Sequence, residues 1–305
     1  MSLHPQVRAL LERVARSPLP PYHTVPAHVA RRIYRDTRAV LSPPPPAVAD
    51  VRLQIFGDIA VRSYRPVKEG VLPALVFFHG GGWTIGDVDT HDVVCRTLAN
   101  GANCAVYSVD YRLAPEHPFP AAVDDCLAAT RYVFENHQAL NVDPARIAVG
   151  GDSAGGNLAA VAALTLKNLA FQLLIYPATD MRCALPSHER NGEGYLLTKD
   201  AIKYFVGNYL RREEEKLDWR ASPLLAPSHA GVPPAFVLTA GYDPLVDEGR
   251  AYAEKLAQAG VQVTYRNYPD MVHGFVLFGG VLDTATEALT ECCRALVQAF
   301  EKVTA

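Results

Sequence analysis

An apolar run at residues 146–150 leads directly into Gly151-Asp152-Ser153-Ala154-Gly155, and an alanine-rich helical pattern follows at 156–164. A chain that passes from a buried strand to a helix through one tight turn has little freedom. The apex residue is strained, and the positions two before and two after it lack room for side chains. Gly151 and Gly155 meet that steric demand, and the hydroxyl of Ser153 is left at the apex. The pentapeptide alone recurs by chance; the strand before it and the helix after it make Ser153 the candidate nucleophile.

Residues 74–78 form a second apolar run, read as an interior strand, that ends in His79-Gly80-Gly81-Gly82-Trp83. Taken alone, consecutive glycines are a flexible turn. Paired with the serine turn, they are bare backbone of the kind that acyl transfer needs, because preorganised N–H donors stabilise the tetrahedral oxyanion. The expected donors are the amides of Gly81, Gly82 and Ala154.

A nucleophilic serine needs a base and an acid to orient it, expected later in the chain in the order acid, histidine. Residues 234–240 read as another interior strand, ending in Gly241-Tyr242-Asp243-Pro244. Residues 261–266 alternate as the last strand, and the loop beyond carries His273-Gly274-Phe275. Asp243 is therefore the candidate acid and His273 the candidate base, both at carboxyl ends of strands. Two rivals for the acid have simpler readings: Asp247 opens a helix over 248–258, and Asp270 belongs to a turn. His4, His23, His28, His91, His117, His137, His188 and His229 read as solvated or locally bonded, and His79 as a loop-shaping residue.

With these motifs, the runs Asp110-Tyr111-Arg112-Leu113-Ala114-Pro115-Glu116-His117-Pro118-Phe119-Pro120-Ala121 and Asp243-Pro244-Leu245-Val246-Asp247-Glu248 complete a pattern. It resembles the hormone-sensitive-lipase family of α/β-hydrolases, in its bacterial carboxylesterase branch, from about residue 50 onward. The resemblance implies a catalytic triad of Ser153, Asp243 and His273, an oxyanion hole at Gly81, Gly82 and Ala154, and a helical cap. It implies a carboxylesterase that needs no cofactor, and a homodimer through the last sheet strand. The run at 110–121 is expected to be structural, with Asp110 and Arg112 able to pair. The stretch 166–171 is shorter than such chains usually have. A hormone receptor that has lost its histidine and an amide hydrolase are the competing readings; His273 argues against the first.

Strand and helix patterns alternate after a hairpin at 51–56 and 59–64, as in an α/β-hydrolase fold with a mostly parallel central sheet and helices on both faces. Residues 1–45 look helical and end in Ser42-Pro43-Pro44-Pro45-Pro46, a stiff linker. Between 180 and 220 the alternation stops, and Ile202, Phe205, Val206, Tyr209 and Leu210 recur at helical spacing. The expected division is 1–45 as the amino-terminal part of a cap, 46–179 as the first part of the catalytic domain, 180–220 as an inserted cap segment and 221–305 as the second part. Trp83, Tyr195 and Phe205 are the candidates for narrowing the substrate pocket, so that short acyl chains are preferred.

Charge excludes other classes. With 29 basic and 32 acidic residues, net −3, the chain has no electrostatic footprint for nucleic acid or an anionic membrane. The expected partner is a small ester. The start lacks the apolar core of a secretory signal, and no apolar stretch approaches a spanning helix. The six cysteines show no C-x-x-C spacing, so free thiols in the cytoplasm are expected, with no metal.

Overall fold

The computed structural model describes residues 2–302. One eight-stranded sheet runs through it, in the order β1-β2-β4-β3-β5-β6-β7-β8. The strands are β1 (Asp50–Phe56), β2 (Ile59–Arg65), β3 (Leu72–Phe78), β4 (Ala105–Val109), β5 (Val142–Asp152), β6 (Phe171–Ile175), β7 (Ala235–Tyr242) and β8 (Val263–Val272). β1 and β2 form the expected antiparallel hairpin, β2 pairs antiparallel with β4, and every pairing from β4 to β8 is parallel. The helices are α1 (Pro5–Ala15), α2 (Ala27–Leu41), α3 (Asp92–Ala102), α4 (Ala121–Glu135), α5 (His137–Leu140), α6 (Ala154–Thr165), α7 (Ser187–Arg190), α8 (Lys199–Tyr209), α9 (Val246–Gln258) and α10 (Asp283–Lys302).

β3 shows why central strands here read as unbroken apolar runs. Its side chains alternate between two cores. Val76 and Phe78 pack with Val123 of α4, Leu158 of α6 and Leu256 of α9. Leu75 and Phe77 pack with Leu98 of α3 and Leu296 of α10 on the other face. Both faces being covered, alternation of polar and apolar residues disappears from the middle of the sheet. Burying each of these large side chains stabilises the fold by roughly 1.5–3 kcal/mol.

The stretch 1–45 divides. Helix α1 docks on the body: Val7 and Leu10 join the core of α3 and α10, the amide of His4 donates to the carbonyl of Asp270 at 3.1 Å, and Gln6 donates to Asp283 at 2.9 Å. Helix α2 instead joins the inserted segment, where Ala30 and Tyr34 cluster with Ile85, Ala201 and Phe205. Arg31 fastens α2 to the loops below, donating to Glu116 at 2.8 Å and to the carbonyls of Thr84 and Ala114, each at 2.8 Å. The Arg31 hydrogen bond pulls the pKa of the Glu116 carboxyl down to about 2.

Three local expectations change. Asp270 lies within β8, which extends to Val272, rather than in a turn. Arg112 forks onto Asp125 of α4 at 2.7 and 2.9 Å instead of pairing with Asp110. His91 and His188 are buried and bonded far along the chain, to Asp152 and Glu248, because desolvation leaves a buried imidazole no cheaper option than a fixed partner.

Candidate active site

The chemistry-bearing residues gather at one end of the parallel strands. β3 delivers the glycine loop, β5 the serine turn, β7 Asp243 and β8 His273. Ser153 adopts φ 57° and ψ −117°, outside the regions open to most residues, at a cost of about 1–3 kcal/mol. Its surroundings enforce that geometry. The Ser153 amide donates to the carbonyl of Ile175 at 2.9 Å, and its own carbonyl accepts from Asn157 at 3.0 Å and Ala178 at 3.2 Å. Gly155 has no alternative, since a Cβ there would collide with the backbone of Phe78.

Ser153 Oγ lies 2.9 Å from His273 Nε2, and His273 Nδ1 lies 2.7 Å from Asp243 Oδ2. The three groups come from positions 153, 243 and 273, and the parallel sheet brings the turns that carry them into one hydrogen-bonded line. Asp243 is fully buried, and its second carboxylate oxygen accepts from the amide of Leu245 at 2.8 Å. Asn191, in the inserted segment, steadies the same turn by donating to the carbonyls of Asp243 at 3.0 Å and Gly241 at 3.1 Å. The imidazole of His273 also packs against Tyr176, with ring centroids 4.7 Å apart.

The glycine loop is tied to the serine turn through Asp152. Its carboxylate accepts from the Gly80 amide at 2.9 Å and lies 3.1 Å from His91 Nε2. Burial works against the charged carboxylate, yet His91 and the Gly80 amide outweigh it and hold the pKa of Asp152 below its usual range. Gly81 takes φ 125°, which only glycine adopts at ease. Its carbonyl accepts from Ile85 at 2.9 Å, turning the loop back on itself. Among the described residues, no hydrogen-bond acceptor claims the amides of Gly81 and Gly82. Gly81, Gly82 and Ala154, the buried first residue of α6, all line the cavity above Ser153.

That cavity holds about 110 Å³ and is mostly apolar, with Ile85, Leu196, Leu197, Ile202 and Phe205 in its walls. Trp83 both lines it and is braced, its indole stacked on Tyr209 at 4.5 Å. Phe205 forms the wall over the glycines. Tyr195 does not line the cavity; its ring packs instead on Tyr242, with centroids 5.0 Å apart. Helical spacing could not place Tyr195, which lies in the loop before α8.

Several site neighbours escaped the sequence reading. Glu248 Oε2 lies 2.7 Å from His188 Nε2, and Glu248 Oε1 accepts from the Thr179 amide at 2.7 Å. Burial raises the pKa of Glu248; His188 is also raised, because Glu248 overcomes the burial that would lower it. Asp247 does open α9, and it also anchors the inserted segment by accepting from the Ser187 amide at 2.9 Å and Arg190 at 3.2 Å. Nothing in the spacing of these residues signals such contacts.

A sheet of this topology, with a serine turn, an acid and a histidine just beyond the ends of β5, β7 and β8, defines the α/β-hydrolase class. The family described as alpha/beta hydrolase fold matches residues 75–277. The chain is 45% identical over 276 residues to a carboxylesterase of Mycobacterium tuberculosis, across 85% of this chain and 86% of that protein. It is 38% identical to the ethyl acetate hydrolase of Pseudomonas putida, across 98% of this chain and 99% of that one. A hyperthermophilic esterase from the archaeon Pyrobaculum calidifontis superimposes with a TM-score of 0.92 at 38% identity, covering 98% of this chain and 99% of its own. The chain belongs to the hormone-sensitive-lipase and carboxylesterase family of α/β-hydrolases.

Proposed function

We propose that the protein is a carboxylesterase that cleaves short-chain acyl esters through an acyl-enzyme on Ser153. The observation that carries this reading is the unbroken line from Asp243 through His273 to Ser153 Oγ, at 2.7 and 2.9 Å. Ser153 Oγ attacks the ester carbonyl while its proton passes to His273 Nε2. The carbonyl oxygen becomes an oxyanion, met by the amides of Gly81, Gly82 and Ala154. As the intermediate collapses, His273 gives the proton to the leaving alcohol oxygen and the C–O bond breaks. Water then attacks the acyl-enzyme by the same sequence, releasing the acid and restoring the serine. Asp243 holds the imidazole tautomer and stabilises the imidazolium throughout.

The limited cavity supports a preference for acyl groups of roughly two to six carbons, because the gain of about 0.8 kcal/mol per buried methylene reverses once walls must move. Phe205, one of those walls, packs between the glycine loop and α2. β8 ends the sheet, so its free edge is where a homodimer would form. A cytoplasmic location suits the six unpaired cysteines. Among the described residues no helix is long and apolar enough to cross a membrane.

The test is initial rates on p-nitrophenyl esters from acetate to palmitate, with an organophosphonate to label the nucleophile. A rate maximum at short chains and labelling that disappears in Ser153→Ala are expected. A maximum at palmitate, or labelling elsewhere, overturns the reading.

A further inference from the structure

The cavity above Ser153 contains a cation that the triad does not use. Arg38, near the end of α2, lines it. The guanidinium lies between two aromatic rings, 4.5 Å from the centroid of Tyr34 and 4.3 Å from that of Phe278. Nε and Nη1 are buried, and neither has a hydrogen-bond partner among the described residues.

Every other charged group in the cavity wall is accounted for. Asp152 holds His91 and the Gly80 amide, Asp180 pairs with Arg182 at 2.7 Å, and Glu248 pairs with His188 at 2.7 Å. His273 is committed to Ser153 and Asp243. The neighbouring arginines of α2 differ too, since Arg31 and Arg35 fork onto Glu116 and Asp87. Among the charged groups that line the cavity, Arg38 has two buried guanidinium nitrogens and no carboxylate partner.

Stacking satisfies the faces of a guanidinium and leaves its in-plane N–H edge to be filled. Leaving buried charged donors unmet is unfavourable, so a site of this kind is built for an acceptor that arrives with the ligand. The planar fork matches a carboxylate, which it binds by paired charge-assisted hydrogen bonds. The apolar residues that line the same cavity as Arg38 and Ser153 suit a short hydrocarbon spacer.

We propose that Arg38 is a specificity-determining residue that binds a carboxylate carried by the substrate away from the scissile ester. The preferred substrates are then short esters bearing a second, ionised carboxyl group. This rests on the esterase reading above and names the substrate class of that same cavity. The carboxylate belongs to either the acyl or the alcohol portion, and matched substrates separate the two.

The experiment compares kcat/KM for monoethyl glutarate with ethyl pentanoate, and for 4-acetoxybutyrate with butyl acetate. In at least one pair the anion should be favoured by about tenfold or more, the equivalent of one good charge-assisted contact. Arg38→Met should abolish that preference, chiefly through KM, lowering kcat/KM for the anion about tenfold more than for the neutral ester. Arg38→Lys should keep part of it. Preference for the neutral ester in both pairs overturns the proposal. So does an equal loss on both members of a pair in Arg38→Met, which would make Arg38 a brace between Tyr34 and Phe278. Titration calorimetry on Ser153→Ala separates this proposal from the esterase reading. Tighter, Arg38-dependent binding of monoethyl glutarate or 4-acetoxybutyrate than of its neutral match supports Arg38 even if no ester is turned over. Equal binding in both pairs overturns Arg38 even if esters are cleaved.

Discussion

The ring of Phe205 occupies the space that a side chain on Gly82 would need. One residue comes from the inserted helix α8 and the other from the loop after β3, so the inserted segment closes directly on the proposed oxyanion donors. Gly82→Ala should push the ring and the loop apart and lower kcat by about 10²-fold, the loss typical of one oxyanion donor. Phe205→Ala, which removes the wall and leaves the donors, should shift the chain-length maximum toward longer acyl groups. Steady-state kinetics on the p-nitrophenyl series read both effects; an unchanged kcat in Gly82→Ala would move the oxyanion site elsewhere.

Asp243→Asn should lower kcat by up to about 10⁴-fold, because an amide beside His273 Nδ1 favours the wrong tautomer. Asp247→Asn should leave kcat far less affected and appear instead in stability. Its carboxylate holds the Ser187 amide and Arg190, and losing such contacts costs about 1–3 kcal/mol. Urea unfolding and kcat measured on the same samples distinguish the two. A larger loss of kcat in Asp247→Asn would transfer the acid role to it.

Glu248→Ala should destabilise the fold by about 3 kcal/mol, since it removes the buried partner of His188 and the acceptor of the Thr179 amide. Equilibrium denaturation measures this. Retention of wild-type stability would mean that the pair is exchanged for water at no cost.

Acid should weaken the fold through His79. Burial first, and then the proximity of His91, lower its pKa from 6.5 to about 4. The folded protein therefore binds fewer protons here than the unfolded chain between those values. The stability from this residue is complete above pH 6.5 and is lost as the pH falls toward 4. Unfolding free energies measured across that window should slope downward with acid, and His79→Gln should flatten the slope. An identical slope in the variant would assign the acid sensitivity to other groups.

The central strands and the serine turn were legible because their causes are local. A strand buried on both faces must be apolar throughout, as residues 74–78 are, and a strand-to-helix turn as tight as that at Ser153 admits only small residues at 151 and 155. The order of acid and histidine added Asp243 and His273. The misplaced readings concern residues whose partners lie far along the chain. The bulk of Tyr195 suits a cavity wall, yet its ring turns onto Tyr242. Asp110 is the near neighbour of Arg112 in sequence, whereas the approach of α4 offers Asp125.

The α/β alternation, the strained turn at Ser153 and the bare backbone of Gly81 and Gly82 are written in the local sequence, since each follows from steric demands within a few residues. How the cavity is furnished, and how the helices dock around it, came from packing. It set Phe205 over Gly82, paired Glu248 with His188, anchored α1 on the body, and left Arg38 between Tyr34 and Phe278 without an acceptor. Those outcomes depend on which surfaces meet when helices dock on the sheet. Contacts between such distant positions have no period along the chain, so only packing could fix them.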